Sequence, residues 1–173
     1  MNMHILHADL LIRNVRDEDL NAVHEFASEE EICRYQAWGP NTLEDTRNYI
    51  SASISETKNT PRQSYNLVVV LAATSEILGT CGIYLKGNNV AEIGFTLKKG
   101  AWGRGFGSKV ALALIDYAFT RLHQDQIIAT CDVLNEGSNA LLKKVGFHQT
   151  RIIEKHMNIR GRARDTVFYE LSK

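Results

Sequence analysis

A glycine-rich segment at positions 102–109, with the sequence WGRGFGSK, constrains the fold of this chain more than any other feature. A strand-like run, AEIGFTL at 91–97, precedes it, and a helix-like run at 110–122 follows it. Glycines at alternate positions allow backbone N–H groups to turn toward one point, and the first turn of a helix adds unpaired N–H groups and the positive end of its dipole. The sequence therefore predicts a strand–loop–helix unit that binds an anion.

Two common glycine loops do not match this segment. The G-x-G-x-x-G pattern of dinucleotide-binding folds, started at Gly103, requires glycine where this chain has Ser108. The loop of nucleoside triphosphate-binding proteins requires Gly-Lys-Ser or Gly-Lys-Thr, and here Ser108 and Lys109 follow Gly107 in the opposite order. A nucleotide-binding protein is thus disfavoured, and a turn that only caps the following helix stays open as an alternative.

The composition indicates one globular domain with a small partner. The chain has 173 residues, of which 44% are hydrophobic and 23% are charged, so we expect a single domain over residues 1–173. The 20 basic and 20 acidic side chains cancel, which argues against electrostatic capture of nucleic acid or of an anionic membrane. We expect a monomer or a homodimer.

The cysteines, the histidines and the N-terminal residues predict a cytoplasmic protein without a metal site. Cys33, Cys81 and Cys131 lack the paired spacing of a disulfide framework or a zinc site, so we expect buried thiols in a reducing compartment. The 6 histidines show no metal-ligand spacing. The N-terminal residues lack a cationic start followed by an apolar run, and no stretch approaches the roughly 20 apolar residues of a membrane span.

Hydrophobic periodicity predicts seven strands and four helices. The predicted strands are 10–15, 65–73, 77–86, 91–97, 127–133, 148–156 and 165–171. The predicted helices begin near Asp17, Thr42, Val110 and Asn135. In strand 91–97, alternation places Glu92, Gly94 and Thr96 on the face opposite the apolar residues, so that face is available to a cleft.

A second motif follows the glycine loop at about thirty residues' distance. It consists of Asn135 and Ser138 in an N-x-x-S pattern, and of Lys144, Gly146 and Phe147 in a K-x-G-F pattern. Together, the two motifs resemble the GNAT superfamily of N-acetyltransferases over nearly the whole chain. The AEIGF run before the WGRG run is similar to the branch of Rim-type ribosomal-protein N-terminal acetyltransferases.

The resemblance implies an α+β fold of the GNAT type, with a mixed, mostly antiparallel seven-stranded sheet that is splayed open in its middle and flanked by about four helices. Acetyl-CoA is then the cosubstrate, with its pyrophosphate on the glycine loop. The implied cofactor-binding residues are Phe95, Thr96, Leu97, Trp102, Gly103, Arg104, Gly105, Phe106, Gly107, Ser108, Asn135 and Ser138.

Two positions depart from the family pattern. Trp102 stands where many members have Gln or Arg, and Rim-type members commonly tolerate this change. Leu142 stands four residues before the Gly-Phe pair, where many members carry the Tyr that protonates the departing thiolate. Ser138 is therefore the candidate acid, and its alternative role is to cap the helix that begins there. Asn135 is a candidate for binding the CoA arm or an ordered water, and it too is able to cap that helix.

The chemistry of acetyl transfer narrows the acceptor. Moving an acetyl group from a thioester to an amine requires a neutral amine, a polarised carbonyl and a proton for the leaving sulfur. An α-amino group, with a pKa of about 8, costs about 3 kcal/mol less to deprotonate than a lysine amine with a pKa of about 10.4. A weak base suffices for such an amine. Glu92, acting directly or through a water, is the candidate, and its alternative role is a structural carboxylate paired with a nearby cation.

These inferences predict an acetyl-CoA-dependent N-acetyltransferase that transfers acetyl directly to a primary amine, without a covalent enzyme intermediate. The predicted catalytic residues are Glu92, Ser138 and Asn135. The α-amine of a protein N-terminus is the favoured acceptor, and a small-molecule amine is the second. The alternative function is a non-catalytic acyl-CoA-binding module, in which the cofactor loop is retained but the amine site is not.

Overall fold

A computed structural model describes residues 3–173 as one sheet with helices on both of its faces. The strands are β1 (His4–His7), β2 (Leu10–Asn14), β3 (Ser64–Leu71), β4 (Glu76–Gly87), β5 (Val90–Leu97), β6 (Gln126–Asp132), β7 (His148–Ile159) and β8 (Arg162–Ser172). The α-helices are α1 (Leu20–Ala27), α2 (Glu30–Cys33), α3 (Leu43–Glu56), α4 (Phe106–Thr120) and α5 (Glu136–Lys144). Across the sheet the strands follow the order β1-β2-β3-β4-β5-β6-β8-β7.

The sheet opens between β5 and β6, which are its only parallel neighbours within residues 3–173. These two strands pair only through Val90, Ala91 and Glu92 against Gln126–Ile128. Further along, β5 stays paired with β4 and β6 stays paired with β8, so the two strands diverge. The mostly antiparallel sheet with a splay in its middle is confirmed.

Strand β3 shows how helices cover both faces of the sheet. Leu67 and Val69 belong to the larger core, which α4 covers, whereas Val68 and Val70 belong to a smaller core beneath α1 and α3. All four side chains are at most 4% exposed. Because alternate residues of a strand point to opposite faces, this continuous apolar run reflects burial on both sides.

Helices α4 and α5 close the larger core beside the splay. Val110, Leu114 and Ala118, which are four residues apart on α4, are fully buried, and burial of a leucine side chain contributes about 2 kcal/mol. Helix α4 packs on β5, helix α5 packs on β6, and the two helices touch each other. This packing holds the N-terminal turns of both helices near the diverging strands. No helix within residues 3–173 has both the length and the apolar character that crossing a membrane requires.

The structure adds two short elements to those expected from the sequence. Strand β1 pairs antiparallel with β2 at the edge of the sheet, and its 4 residues are too few to show a clear period. Helix α2 also has 4 residues, and no side chain caps its start. The sheet therefore has eight strands rather than seven, and the described residues contain five α-helices rather than about four. Helix α4 begins at Phe106 instead of Val110, directly after Gly105 as N-cap.

The three cysteines are free thiols. Cys33 and Cys81 are buried, as expected, whereas Cys131 is only partly buried because it lies on β6 beside the splay. Desolvation raises the pKa of all three thiols.

Candidate active site

A cleft of about 820 Å³ lies between the diverging parts of β5 and β6. On the β5 side it is lined by Glu92, Gly94 and Thr96, and on the β6 side by Thr130 and Asp132. These residues alternate with the apolar residues that pack on α4, so they point to the opposite face of the sheet, which α1 and α3 cover. The structure thus confirms that this face of β5 lines a cleft.

The wall of the cleft carries acids and neutral phenols but, within the described residues, neither lysine nor arginine. The carboxylates are Asp45, Glu92 and Asp132. Burial raises the pKa of the Tyr49 and Tyr84 phenols above their usual range, so both stay protonated at neutral pH. A wall of this composition suits a neutral or cationic ligand better than an anion.

Glu92 occupies the fork of the splay. It is the last residue of β5 that pairs with β6, and it lies opposite Tyr84 on β4. One carboxylate oxygen, Oε2, lies 2.7 Å from Lys86 Nζ, and the side chain is 27% exposed. The ion pair expected under the structural alternative therefore exists, while the exposed fraction leaves the carboxylate accessible from the cleft. The role of Glu92 as a base stays a prediction.

The glycine loop leaves a row of N–H groups without acceptors. Gly103 and Gly105 have φ angles of 69° and 80°, in the left-handed region that favours glycine. No heavy atom lies within 4 Å of the position that a Cβ would take at either residue. Among the described residues, no backbone acceptor bonds the N–H groups from Gly103 to Ser108. Unpaired N–H groups at the start of a 15-residue helix form an anion site, and the pyrophosphate of acetyl-CoA fits it.

Other positions of the loop are fixed by packing. A Cβ on Gly107 would lie 2.5 Å from Leu141 Cδ1 of α5, so the contact between α4 and α5 favours glycine there unless the Leu141 side chain moves. Leu97 and Phe106 are 7% and 5% exposed and belong to the larger core. The buried side chains of these two predicted cofactor-binding residues leave only backbone atoms for a ligand.

Three long side chains brace the loop. Trp102 Nε1 donates a hydrogen bond of 2.8 Å to the carbonyl at the end of β5. Arg104 Nη1 donates to the carbonyl of the preceding turn at 3.2 Å, and its guanidinium lies 5.0 Å from the centre of the Phe106 ring. Lys109 Nζ lies 2.7 Å from Asp9 Oδ1 in the turn between β1 and β2. The backbone N–H groups of the loop are thus more available to an anion than these cations are.

Asn135 and Ser138 lie at the turn from β6 into α5, and both line the cleft. Asn135 Oδ1 accepts a hydrogen bond of 3.1 Å from the backbone N–H of Ser138, so Asn135 is the N-cap of α5. The Ser138 hydroxyl makes no hydrogen bond to another described residue, which leaves it available to a ligand in the cleft. The capping alternative thus holds for the side chain of Asn135, and the acid role of Ser138 stays a prediction.

Asp132 lines the same cleft, and the sequence analysis did not identify it. Its side chain is 2% exposed, and Oδ1 accepts hydrogen bonds of 2.8 Å from Arg164 Nη2 and from the backbone N–H of Leu134. The second oxygen, Oδ2, is buried without a partner among the described residues. This carboxylate ties β8 to the turn that carries Asn135.

The hairpin between β7 and β8 reaches back to the loop between α2 and α3. Arg160 donates hydrogen bonds of 2.8 Å from Nη1 to the carbonyl of Gly39 and from Nη2 to the carbonyl of Cys33. The partners are more than 120 residues apart in the sequence, which is why no local pattern indicates this contact. Ile159, next to Arg160, lines the cleft, so the hairpin borders it.

The structure places Asn135 and Ser138 of the second motif on the wall of the cleft. The predicted site residues on the wall of the cleft are Glu92, Phe95, Thr96, Asn135 and Ser138. The loop residues 102–108 lie outside that wall, after the end of β5. His156 and Asp132 also line the cleft but have no motif around them that would have identified them.

Known proteins are similar in sequence to this chain over most of its length. The sequence model of the acetyltransferase (GNAT) domain matches residues 9–148. The uncharacterized N-acetyltransferase YoaA of Bacillus subtilis strain 168 is 30% identical over 177 aligned positions, which cover 98% of this chain and 97% of the relative.

Two solved structures share the fold at lower identity. The RimL ribosomal alpha-N-protein acetyltransferase in complex with coenzyme A is 19% identical, with a TM-score of 0.88 and 98% coverage of both chains. The spermidine N-acetyltransferase of Vibrio cholerae, in complex with CoA and spermine, is 20% identical, with a TM-score of 0.82 and 95% coverage of both chains.

Proposed function

Since the chain belongs to the GNAT family of acetyltransferases, which use acetyl-CoA, we propose that it transfers acetyl directly to the α-amino group of a protein or peptide N-terminus. The observation that carries this proposal is the composition of the cleft between β5 and β6. Its wall has no lysine or arginine among the described residues, and it carries three carboxylates and the neutral phenols of Tyr49 and Tyr84. Such a wall accommodates an amine beside the thioester.

The cofactor lies along the splay in this proposal. The unpaired N–H groups of the glycine loop hold the pyrophosphate, since anions bind where such groups converge at a helix N-terminus. The acyl end then reaches the cleft between Thr96 and Asn135, which line its two sides. The backbone of β5 beyond Glu92 has no partner on the β6 side, so its polar groups are free to bond the pantetheine arm.

Proton delivery to the leaving thiolate falls to Ser138 in this proposal. Leu142, at the position of the tyrosine that many family members use, is 5% exposed and packs in the larger core. An aliphatic side chain cannot donate a proton, whereas the Ser138 hydroxyl faces the cleft and has no hydrogen-bond partner in the described part of the chain. Glu92, at the fork, is proposed to attract the ammonium form of the acceptor.

The acidity of the acceptor favours an α-amine over a lysine. Neither carboxylate beside the strands is free of a cation: Glu92 pairs with Lys86, and Asp132 pairs with Arg164. A site of this kind has no strong base. At neutral pH, the free energy of deprotonation of an α-amine is about 3 kcal/mol lower than that of a lysine amine. A small primary amine is the second candidate, and the carboxylates of the cleft wall are the observation that favours it.

A panel of amines tests the acceptor. We expect a peptide with a free N-terminus and no lysine to be acetylated faster at neutral pH than the same peptide with a blocked N-terminus and one lysine, with small primary amines of similar pKa between them. The assay is the initial release of CoA thiol at pH 7 and pH 9 for the three acceptors. Faster reaction of the lysine peptide at pH 7, or of polyamines, contradicts the α-amine assignment. Binding of acetyl-CoA without any release across the panel indicates the non-catalytic module instead.

A further inference from the structure

Strand β7 contains an irregularity where it passes the cleft. Ile153 pairs with Thr166 and Met157 pairs with Arg164, so three residues of β7 face one residue of β8. Within this bulge Lys155 has a φ of 51°, and its backbone N–H donates a hydrogen bond of 2.8 Å to Asp165 Oδ1. Such bulges re-aim side chains and occur preferentially beside active sites. A non-glycine residue in the left-handed region, held by a dedicated carboxylate, indicates a built feature.

The residue that follows the strained position is His156, and its side chain lines the cleft. Its Nδ1 lies 3.2 Å from Thr166 Oγ1, and its ring meets the Phe168 ring edge-on with 5.3 Å between the ring centres. Thr166 is 4% exposed, so the hydroxyl that holds the imidazole is itself fixed. These two contacts orient the ring and leave Nε2 without a protein partner in the described part of the chain.

The neighbouring groups of the cleft are less suited to accept a proton. Glu92 already forms an ion pair with Lys86, and Asp132 accepts a charge-assisted hydrogen bond from Arg164. Tyr84 is a protonated phenol that donates to Asn66 Oδ1 at 3.0 Å. Imidazole is the side chain most often used as a general base near neutral pH. Asp45, the third carboxylate of the wall, already accepts hydrogen bonds from the backbone N–H and the hydroxyl of Thr42. Nε2 of His156 has no hydrogen-bond partner among the described residues.

We propose that His156 Nε2 accepts the proton that the acceptor ammonium must lose, an inference that rests on the proposed function. Nδ1–H then donates to Thr166 Oγ1, so that Nε2 keeps its lone pair. The neutral amine attacks the thioester carbon, the C–N bond forms and the C–S bond breaks. The nitrogen loses its second proton as the CoA thiolate gains one, and His156 returns the first proton to solvent. The balance is acetyl-CoA and an ammonium ion giving an amide, CoA thiol and one proton.

A glutamine substitution removes the base while it keeps a polar side chain of similar reach. We expect His156→Gln to lower kcat for amine acetylation about 100-fold, because general bases contribute on that order. The Kd of acetyl-CoA should stay within about two-fold, since the glycine loop is untouched. The matched control is His148→Gln, at an exposed position of the same strand that does not line the cleft. Its kcat should equal that of the wild type.

Chemical rescue separates proton transfer from a structural role. Added imidazole should restore at least a tenth of the wild-type rate to His156→Ala, because the open cleft admits it, and should not change the rate of the wild type. At the supporting residue, Thr166→Ser keeps the hydroxyl and should keep the rate, whereas Thr166→Val should lower kcat. Thermal unfolding of each variant identifies any loss of fold.

The outcomes of these assays are distinct. A folded His156→Gln protein with wild-type kcat overturns the proposal, as does a His156→Ala protein that imidazole fails to rescue. A loss of kcat in Glu92→Gln as large as that in His156→Gln, without rescue of the histidine variant, assigns the base to Glu92. Absence of acetyl transfer by the wild type overturns the proposed function itself, and this proposal with it.

Discussion

The substitution Gly105→Asn tests whether the glycine loop binds the pyrophosphate of acetyl-CoA. Its φ of 80° lies in the left-handed region, and the space where a Cβ would point contains no heavy atom within 4 Å. Asparagine is among the few other residues that adopt this conformation, so Gly105→Asn should cost the fold only about 1 kcal/mol. The new side chain would enter the open space in which we place the pyrophosphate.

The expected loss of acetyl-CoA affinity follows from the hydrogen bonds that the loop N–H groups would donate to the pyrophosphate. The N–H groups from Gly103 to Ser108 have no backbone acceptors, so they are available to phosphate oxygens. A hydrogen bond to a charged group contributes about 1.5–3 kcal/mol. Loss of one of them weakens acetyl-CoA binding by about 1.5–3 kcal/mol, or roughly 10- to 150-fold.

Calorimetry with two ligands isolates this effect. Gly105→Asn should bind acetyl-CoA more weakly than the wild type by this factor, whereas its affinity for acetyl-pantetheine, which lacks the pyrophosphate, should be unchanged. Gly87→Asn is the matched control, because Gly87 also has a positive φ, of 85°, and open space at its Cβ position but lies at the end of β4, away from the loop. Unchanged acetyl-CoA affinity in folded Gly105→Asn would refute the assignment of the loop.

Three further predictions concern separate parts of the site. Ser138→Ala should lower kcat with little loss of stability, whereas Asn135→Ala should lower the free energy of unfolding by about 1 kcal/mol because it removes the N-cap of α5. Steady-state kinetics and urea titration distinguish the two effects. An unchanged kcat in Ser138→Ala would contradict the acid role of Ser138. Gly107→Ala should lose about 1–3 kcal/mol of stability through contact with Leu141, and Leu141→Ala in the same chain should recover part of it; equal losses with and without the second change would contradict this packing. Burial raises the pKa of the Cys131 thiol to about 12, so the folded state holds its proton above pH 9 where the unfolded chain releases it, and stability falls as pH rises from there. The stability difference between wild type and Cys131→Ala should narrow between pH 8 and pH 10.5 in urea titrations, and parallel curves would contradict it.

Local patterns in the sequence predict the elements that carry the site. Alternation along 91–97 predicts that Glu92 and Thr96 face away from the core, and the structure places both on the cleft wall. The N-x-x-S pattern predicts a helix start with polar caps, and Asn135 is indeed the N-cap of α5. The splay between β5 and β6 comes from the family resemblance alone, since strand order and register have no local signal.

Contacts between distant segments account for what the sequence did not predict. Gly107 lies against the side chain of Leu141, 34 residues later, so no local pattern in the sequence indicates this contact between α4 and α5. His156 reaches the cleft through a bulge, and a bulge breaks the period-two pattern from which strand faces are predicted. The partner of Glu92 is Lys86, across the turn between β4 and β5, and their contact depends on the register of that hairpin.

The most direct test of the central claim is the stoichiometry of the reaction with one free-N-terminus peptide. The protein is mixed with acetyl-CoA and the peptide, and mass spectrometry follows the acetylated peptide and the protein while a thiol reagent follows CoA. Direct transfer predicts equal amounts of CoA thiol and N-terminally acetylated peptide, and no acetylated protein when the peptide is left out. Thiol release without an acetylated amine, or an acetyl group that first accumulates on the protein, would contradict direct transfer from acetyl-CoA to an amine in the cleft between β5 and β6.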